Sequence, residues 1–170
     1  MILIDGSYGE GGGQILRTSV GMSVFTGKAV RVINIRAKRK KPGLKAQHVE
    51  AIRILQKLSS ASVTGNELGS VRLEFVPKQV KGGVISASIA TAGSIALALQ
   101  GVCFAALAAR ESVAVKVSGG AVAGKWAPPV NYLKLLLIPL LRKFGYEARV
   151  EIKRYGYYPK GGAKVEMEII

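Results

Sequence analysis

Short apolar runs alternate along the chain with longer stretches whose apolar positions recur at the spacing of helical turns. Alternation with a period of two marks half-exposed strands, and recurrence near 3.6 marks helices with one buried face. On this basis the first half predicts a strand at 2–4, a Gly-rich loop, a helix from about 12 to 25 and a strand at 29–36. A basic loop at 38–42, a helix at 44–58 and strands at 61–64 and 70–76 follow. The second half predicts the same order: strand 84–89, helix 91–110, strand 112–117, loop 118–129, helix 130–144, then strands 147–154 and 163–170. Val113-Ala-Val-Lys-Val117 and Val165-Glu-Met-Glu-Ile169 show the strand alternation. The expected fold is α+β, an α/β two-layer arrangement of repeated β-α-β-α-β-β units. Each unit is a four-stranded sheet with two helices on one face. The units are expected to span 1–80 and 81–170.

Composition narrows the function classes. With 170 residues, 49% apolar, and a mean hydropathy of +0.27, the chain has enough length and apolar content for a sizeable core and is not disordered. A net charge of +15 and a pI near 10.2 point to a polyanionic partner such as RNA, DNA, a nucleotide or an anionic membrane. A basic protein with no nucleic-acid role is the bland alternative. The single cysteine, Cys103, has no partner for an intrachain disulfide, and no Cys/His cluster has zinc-ligand spacing. It reads as a small core residue in a reducing, cytoplasmic compartment. No signal-peptide pattern opens the chain. The apolar stretch 94–109 is interrupted by Gln100 and short for a membrane span, so it reads as a buried helix. The last strand runs to Ile169-Ile170 without a polar tail, which suggests a piece of a longer protein.

Four stretches could carry chemistry. The first is Asp5-Gly-Ser-Tyr-Gly-Glu-Gly-Gly-Gly-Gln-Ile-Leu-Arg17, placed between a strand and a helix. Its glycines let the backbone approach a bulky ligand, and a helix N-terminus there offers unpaired N–H groups to an anion. Glu10 sits among them as a metal or proton-handling group, and Arg17 follows about two turns later; a tight turn requiring positive φ is the competing reading. The pattern matches neither common nucleotide-binding glycine motif. The second stretch is the basic loop with Arg36, Lys38, Arg39, Lys40, Lys41 and Lys45, either a phosphate-binding edge or a solvated charge run. In the helix after it, Leu44, Ala51, Ile52, Leu55 and Leu58 form one stripe, with Glu50, Arg53 and Lys57 opposite. Gln47 and His48 fall on the apolar stripe in the first turn, so they need hydrogen-bond partners from the protein or from a ligand. His48 is the only histidine, and a helix N-terminus disfavours its charged form.

The third stretch is Ala90-Thr-Ala-Gly-Ser-Ile-Ala-Leu-Ala-Leu-Gln100, where Thr91 or Ser94 could cap the second unit's first helix and Gly93 permits close approach. Gln100 is out of place in that apolar run. The fourth combines Gly119-Gly120, Trp126-Ala-Pro-Pro-Val-Asn-Tyr132, and Tyr155-Gly-Tyr-Tyr-Pro-Lys-Gly-Gly162. Its prolines and aromatics, beside Lys125 and Lys160, could stack on bases or simply form turns.

Together these stretches resemble the RNA 3′-terminal phosphate cyclases. The resemblance rests on 5–17, Ile35-Arg-Ala-Lys-Arg39, Pro42-Gly-Leu44 with Gln47-His48, Ala92-Gly-Ser94 with Gln100, Gly119-Gly120 with Pro128-Pro129, and Tyr157-Tyr-Pro-Lys-Gly-Gly162, in the family's order along the whole chain. It implies an ATP-dependent ligase-type enzyme with a divalent metal, Mg2+ or Mn2+. Such an enzyme converts an RNA 3′-phosphate into a 2′,3′-cyclic phosphate through nucleotidyl-histidine and RNA-adenylate intermediates. The resemblance assigns Glu10 to the metal or to orienting phosphates, and Arg17, Arg36 and Arg39 to phosphates of ATP or of the RNA end. Gly11, Gly12, Gly13, Gln14, Gln47, His48 and Gln100 would line the same ATP and RNA-phosphate pocket, with Pro128 against the adenine. Implied partners are RNA 3′-phosphate ends and ATP, with no membrane, and either a homo-oligomer or association with a missing C-terminal portion.

Thr91, Ala121 and Ala163 depart from the family's usual serine, threonine and glycine. Complete members are about twice as long, and their nucleophilic histidine lies in a part absent here; His48 corresponds to a pocket residue. The 170 residues alone are therefore expected to be inactive. The alternative is a non-catalytic cyclase-like RNA-binding protein of ribosome assembly, a branch that typically alters the Gly-rich loop and the Gln-His pair. A generic RNA-binding module of initiation-factor type would leave Glu10 without a role.

Overall fold

The computed structural model describes residues 1–125 and 127–170; Trp126, one of the aromatics noted above, lies outside the described residues. The first unit runs β1 (Ile2–Asp5), α1 (Gly13–Thr26), β2 (Val30–Ile33), α2 (Ala46–Ser59), β3 (Ser62–Thr64) and β4 (Leu73–Val76). The second runs β5 (Gly83–Ser94), α3 (Ile95–Ala105) with a 3-10 turn (Ala106–Ala108), and β6 (Val113–Ala121). It continues with α4 (Val130–Tyr132), a π-helical stretch (Leu133–Leu137), α5 (Ile138–Arg142), β7 (Ala148–Arg154) and β8 (Lys164–Ile169). The sheets have equivalent orders, β1-β2-β4-β3 and β5-β6-β8-β7. In each, the first pair is parallel across a helical crossover and the other two pairs are antiparallel. Mixed α/β content and repeated topology are as the periodicity predicts.

Helix α1 buries Leu16, Val20 and Val24 at four-residue spacing and stops at Gly27, which takes the left-handed conformation that ends helices. Helix α2 buries Ile52, Leu55 and Leu58 as the wheel predicts, and also Val49 and Ile54. The reason is that α2 has neighbours on more than one side: α1, and α3 with β5 from the second unit. Burial of a side chain such as Leu55 or Phe75 contributes about 1.5–3 kcal/mol. One contiguous core joins residues of both units. Cys103 belongs to it, and burial pushes its thiol up to about 11, so it is an inert core residue. Among the described residues, no helix is long and apolar enough to cross a membrane.

The crossing of α1 and α3 positions the site. A Cβ on Gly21 would lie 2.8 Å from the Gly101 carbonyl oxygen and 3.2 Å from its Cα. The two helices thus touch backbone to backbone, which any larger side chain would prevent. This contact sets Arg17, one turn before Gly21, beside Gln100.

Several elements differ from expectation. The strand expected at 29–36 ends at Ile33, because Asn34 and Arg36 take positive φ, 52° and 55°, which no strand accommodates. Leu44 is buried but precedes α2, which begins at Ala46. The helix expected from 91 starts at Ile95, since β5 continues through a register shift between Ile89 and Ser94. Partner strand β6 likewise extends to Ala121, through residues expected to form a loop. Ser94, not Thr91, is the N-cap, its Oγ accepting from the Leu97 N–H at 3.3 Å. Ser94→Ala should cost about 1 kcal/mol in chemical denaturation; a change within error would mean the cap is solvated in solution. Finally, the helix expected at 130–144 is interrupted by a π turn just before Pro139. Proline has no N–H for the carbonyl four residues earlier and its ring crowds that carbonyl, so a wider turn relieves the contact.

Candidate functional site

The site is assembled where the N-terminal ends of α1, α2 and α3 meet. The Gly-rich loop leaves β1 through Asp5, whose Oδ1 accepts from Ser7 N at 2.9 Å, Ser7 Oγ at 2.8 Å and Asn34 Nδ2 at 3.2 Å. These bonds, led by the Ser7 N–H, hold the Asp5 carboxyl below its ordinary range. Gly9 and Gly11 then take left-handed φ of 57° and 59°. The chain enters α1 at Gly12, an N-cap with no side-chain bond to the helix. First-turn N–H groups of α1 therefore lack a capping side chain.

His48 faces that end of α1. It is 3% exposed, and its Nδ1 accepts from the Lys45 N–H at 3.1 Å. In the neutral ring the proton must then sit on Nε2. Burial, followed by the charges of Arg17, Arg36 and Lys45, pushes its pKa down to about 3, so the ring is neutral near pH 7. Gly13 makes room for it: an added Cβ would clash with Nε2 and lie 3.0 Å from Cε1 and 3.2 Å from Arg17 Nη1. Arg17 is 8% exposed and donates from Nε to Gln100 Oε1 at 3.1 Å. Burial lowers its pKa to about 10, still cationic at neutral pH. Among the described residues no carboxylate pairs with Arg17.

On the other side of the α2 N-terminus, Gln47 Oε1 accepts from the Ser94 N–H at 3.1 Å. Gln47, Ser94 and Lys45 line a cavity of about 500 Å³ with Ala127, Lys125 and Tyr158. The basic loop lies over the Gly-rich loop. Lys38 Nζ donates to the Gly9 carbonyl at 3.0 Å, and Arg39 Nη2 meets Glu10 Oε2 at 3.3 Å. The Glu10 side chain is 90% exposed, so this ion pair contributes little to stability.

The structure therefore brings together Gly13, Arg17, His48 and Gln100, and places Gln47 next to them on the cavity side. Glu10, Gly12 and Arg39 form the outer rim, and Gly11 is buried within the loop. Three expected residues are placed differently. Arg36 turns back on its own loop, Nη1 donating to the carbonyls of Lys41 at 2.8 Å and Gly43 at 2.7 Å, so that nitrogen shapes the loop. Gln14 is exposed and donates to Thr18 Oγ1 at 3.0 Å along α1. Pro128 is exposed and outside the cavity lining, to which its neighbour Ala127 contributes. Lys45, Ser94, Lys125 and Tyr158 all lie in stretches that the sequence singles out, but none of them was assigned to the pocket.

This geometry can be set beside known proteins. A family profile described as RNA 3′-terminal phosphate cyclase matches residues 8–170. The chain belongs to the RNA 3′-terminal phosphate cyclase family. An RNA 3′-terminal phosphate cyclase of Pyrococcus furiosus is 51% identical over 165 residues, covering 97% of this chain and 48% of the relative. One from Ignicoccus hospitalis is 52% identical over 166 residues, covering 98% and 47%. One from Archaeoglobus fulgidus is 48% identical over 169 residues, covering 99% and 51%. The chain thus spans about half the length of the curated relatives it matches.

Proposed function

We propose that this chain forms the nucleotide- and phosphate-binding part of an ATP-dependent RNA 3′-phosphate cyclase. The observation that carries the reading is Arg17: a buried cation with no carboxylate partner among the described residues, next to an uncapped helix N-terminus. An unpaired buried charge is costly, and an anion from outside relieves that cost. Arg17, the Nε2–H of His48 and the first-turn N–H groups of α1 together make a phosphate hole. Arg39 and Lys38 would extend it along a polyphosphate or an RNA end. Such preorganised positive groups stabilise the charge of a transferring phosphoryl group.

The reaction proposed for the whole protein converts an RNA 3′-phosphate to a 2′,3′-cyclic phosphate. The RNA 3′-phosphate takes AMP from a nucleotidyl-histidine, and the adjacent 2′-OH then displaces that AMP. His48 is unsuited to be the nucleophile. Its Nδ1 lone pair is bound by a backbone N–H, its Nε2 carries the proton, and it is buried. By the resemblance, the attacking histidine would lie in the part of the family protein beyond this chain.

A divalent metal fits only in a restricted way. Among the described residues no group of three His, Cys, Asp or Glu side chains could hold one. Glu10 would be a single protein ligand, with nucleotide phosphates and water supplying the others, as is usual for Mg2+. The metal's chemistry would be neutralisation of phosphate charge.

The test is incubation of the 170-residue chain with α-labelled ATP and Mg2+ or Mn2+. Non-covalent binding should appear, weakened at least tenfold by Arg17→Met, with no adduct surviving denaturation. Glu10→Ala should reduce the metal-dependent part of that binding and barely change general RNA affinity. A stable covalent adduct, or binding indifferent to Arg17, would overturn the reading.

A further inference from the structure

The phosphate site leaves one prominent feature unused, the tyrosines of the turn between β7 and β8. Tyr155, Tyr157 and Tyr158 are 53%, 55% and 79% exposed. Tyr155 and Tyr157 already stack on one another, with ring centroids 6.1 Å apart and planes 23° apart. Three large rings facing water on one turn is an arrangement that folding alone does not favour.

The turn that carries them is held by its backbone. The Val122 N–H donates to the Gly156 carbonyl at 2.9 Å, and the Gly161 N–H to the Tyr157 carbonyl at 2.7 Å. Arg154 Nε donates to the Gly162 carbonyl at 2.7 Å. Gly156 is buried, and a Cβ there would meet the Gly161 carbonyl oxygen at 2.5 Å. Gly161 has φ 70° and would bring a Cβ within 2.8 Å of the Gly120 carbonyl oxygen. The rings therefore stand on a fixed base, and a flat ligand can use them without ordering the chain.

Two contacts join this base to the site. Tyr158 lines the cavity that also holds Gln47, Lys45 and Lys125, and Tyr157 is bridged to Ala123, another residue of the cavity wall. A groove that combines cations with exposed aromatic rings suits a single-stranded nucleic acid, whose phosphates take the charge and whose bases take the rings.

We propose that Tyr158, with the Tyr155–Tyr157 pair beyond it, is a base-stacking platform for the unpaired nucleotides leading to an RNA 3′-phosphate. The inference rests on the phosphate-site reading above and adds the residues that hold the RNA body. Stacking on such rings is sequence-tolerant, so the platform accepts different RNA ends. It requires the end to be single-stranded, because paired bases offer no free faces.

The test is fluorescence anisotropy with a 5′-labelled, single-stranded oligoribonucleotide bearing a 3′-phosphate, at fixed salt. Tyr158→Ala, and the double variant Tyr155→Ala/Tyr157→Ala, should each weaken binding roughly 5- to 100-fold. Tyr158→Phe should retain it, because the ring face remains. An oligomer with abasic terminal nucleotides should bind wild type more weakly and respond little to the alanine variants. Circular dichroism checks folding, which substitution of exposed rings should leave intact.

Alanine variants that bind like wild type, or that lose affinity equally for base-bearing and abasic RNA, would overturn the platform. So would a loss of ATP affinity matching the loss for RNA, which would give Tyr158 to the nucleotide. An Arg17→Met control separates the two ideas. If Arg17→Met lowers the preference for the 3′-phosphate while the tyrosine variants do nothing, only the platform fails. If Arg17→Met changes neither ATP nor 3′-phosphate binding, the phosphate-site reading fails.

Discussion

Acidification from pH 7 to pH 4 should remove on the order of 3 kcal/mol of folding stability through His48 alone. Its ordinary pKa of 6.5 falls to about 3 in the folded protein, first because it is buried and then because Arg17, Arg36 and Lys45 oppose a further positive charge. Between those two values the unfolded chain binds the proton and the folded chain does not, so stability falls as pH falls. The contribution is complete above about pH 6.5 and is lost progressively down to about pH 3. Carboxylates such as Asp5 and Glu74, whose folded pKa values are lowered, add their own acid sensitivity at lower pH. A difference measurement isolates the imidazole. In His48→Gln, the side-chain oxygen can still accept the Lys45 N–H, as glutamine does at this position of a capping box, and nothing titrates. Denaturant midpoints from pH 7 to 4 should fall more steeply for wild type than for His48→Gln. Parallel curves would mean that His48 is not buried neutral.

Gly13→Ala should destabilise the fold by about 1–3 kcal/mol and weaken phosphate binding at least tenfold. The usual expectation is the reverse, since alanine inside a helix is favoured over glycine by about 1 kcal/mol. Here the added methyl would collide with His48 Nε2 and crowd Arg17 Nη1 at 3.2 Å. Neither side chain can give way freely. His48 is tethered through Nδ1 to the Lys45 N–H, and Arg17 through Nε to Gln100. Moving the first leaves a backbone donor unpaired, and moving the second leaves a buried guanidinium out of place. Gly12→Ala provides the contrast. Its Cβ would lie 3.4 Å from Arg39 Nη2, a guanidinium on an exposed arm, and at ordinary contact distance, 4.0 Å, from Gln14 N. Denaturation and anisotropy on both variants check the pair: equal effects at the two positions would contradict the packing described for Gly13.

The inward position of His48 and Gln47 was legible because both lie on the apolar stripe of α2, and such polar groups must find partners. Their partners were not legible. Gln47 bonds to Ser94 and Arg17 to Gln100, pairs that lie far apart in sequence. Gln100 stood out as polar in an apolar run, but nothing local could assign it to Arg17. Arg36 shows the opposite failure. Its charge was visible, while the positive φ of 55° that turns it toward its own loop was not. The start of α3 was misplaced for a related reason: the small residues at 90–93 suit a helix locally, but pairing with β6 holds them in an extended strand up to Ser94.

By itself the sequence determined the repeated β-α-β-α-β-β order, the glycine loop, the basic loop and the family. The order and the two loops follow from periodicity, conformational freedom and composition, and the family from the resemblance of co-linear motifs, all read from residues close together in the chain. Only the tertiary structure decided which charges are buried and which are exposed rim. It separated Arg17 from Arg36 and Arg39, made His48 a neutral donor, and replaced Pro128 with Ala127 and Tyr158 on the cavity wall. The physical reason is that desolvation and hydrogen-bond pairing depend on what packs around a group. Here that is set by the backbone contact of Gly21 with Gly101, where α1 and α3 cross.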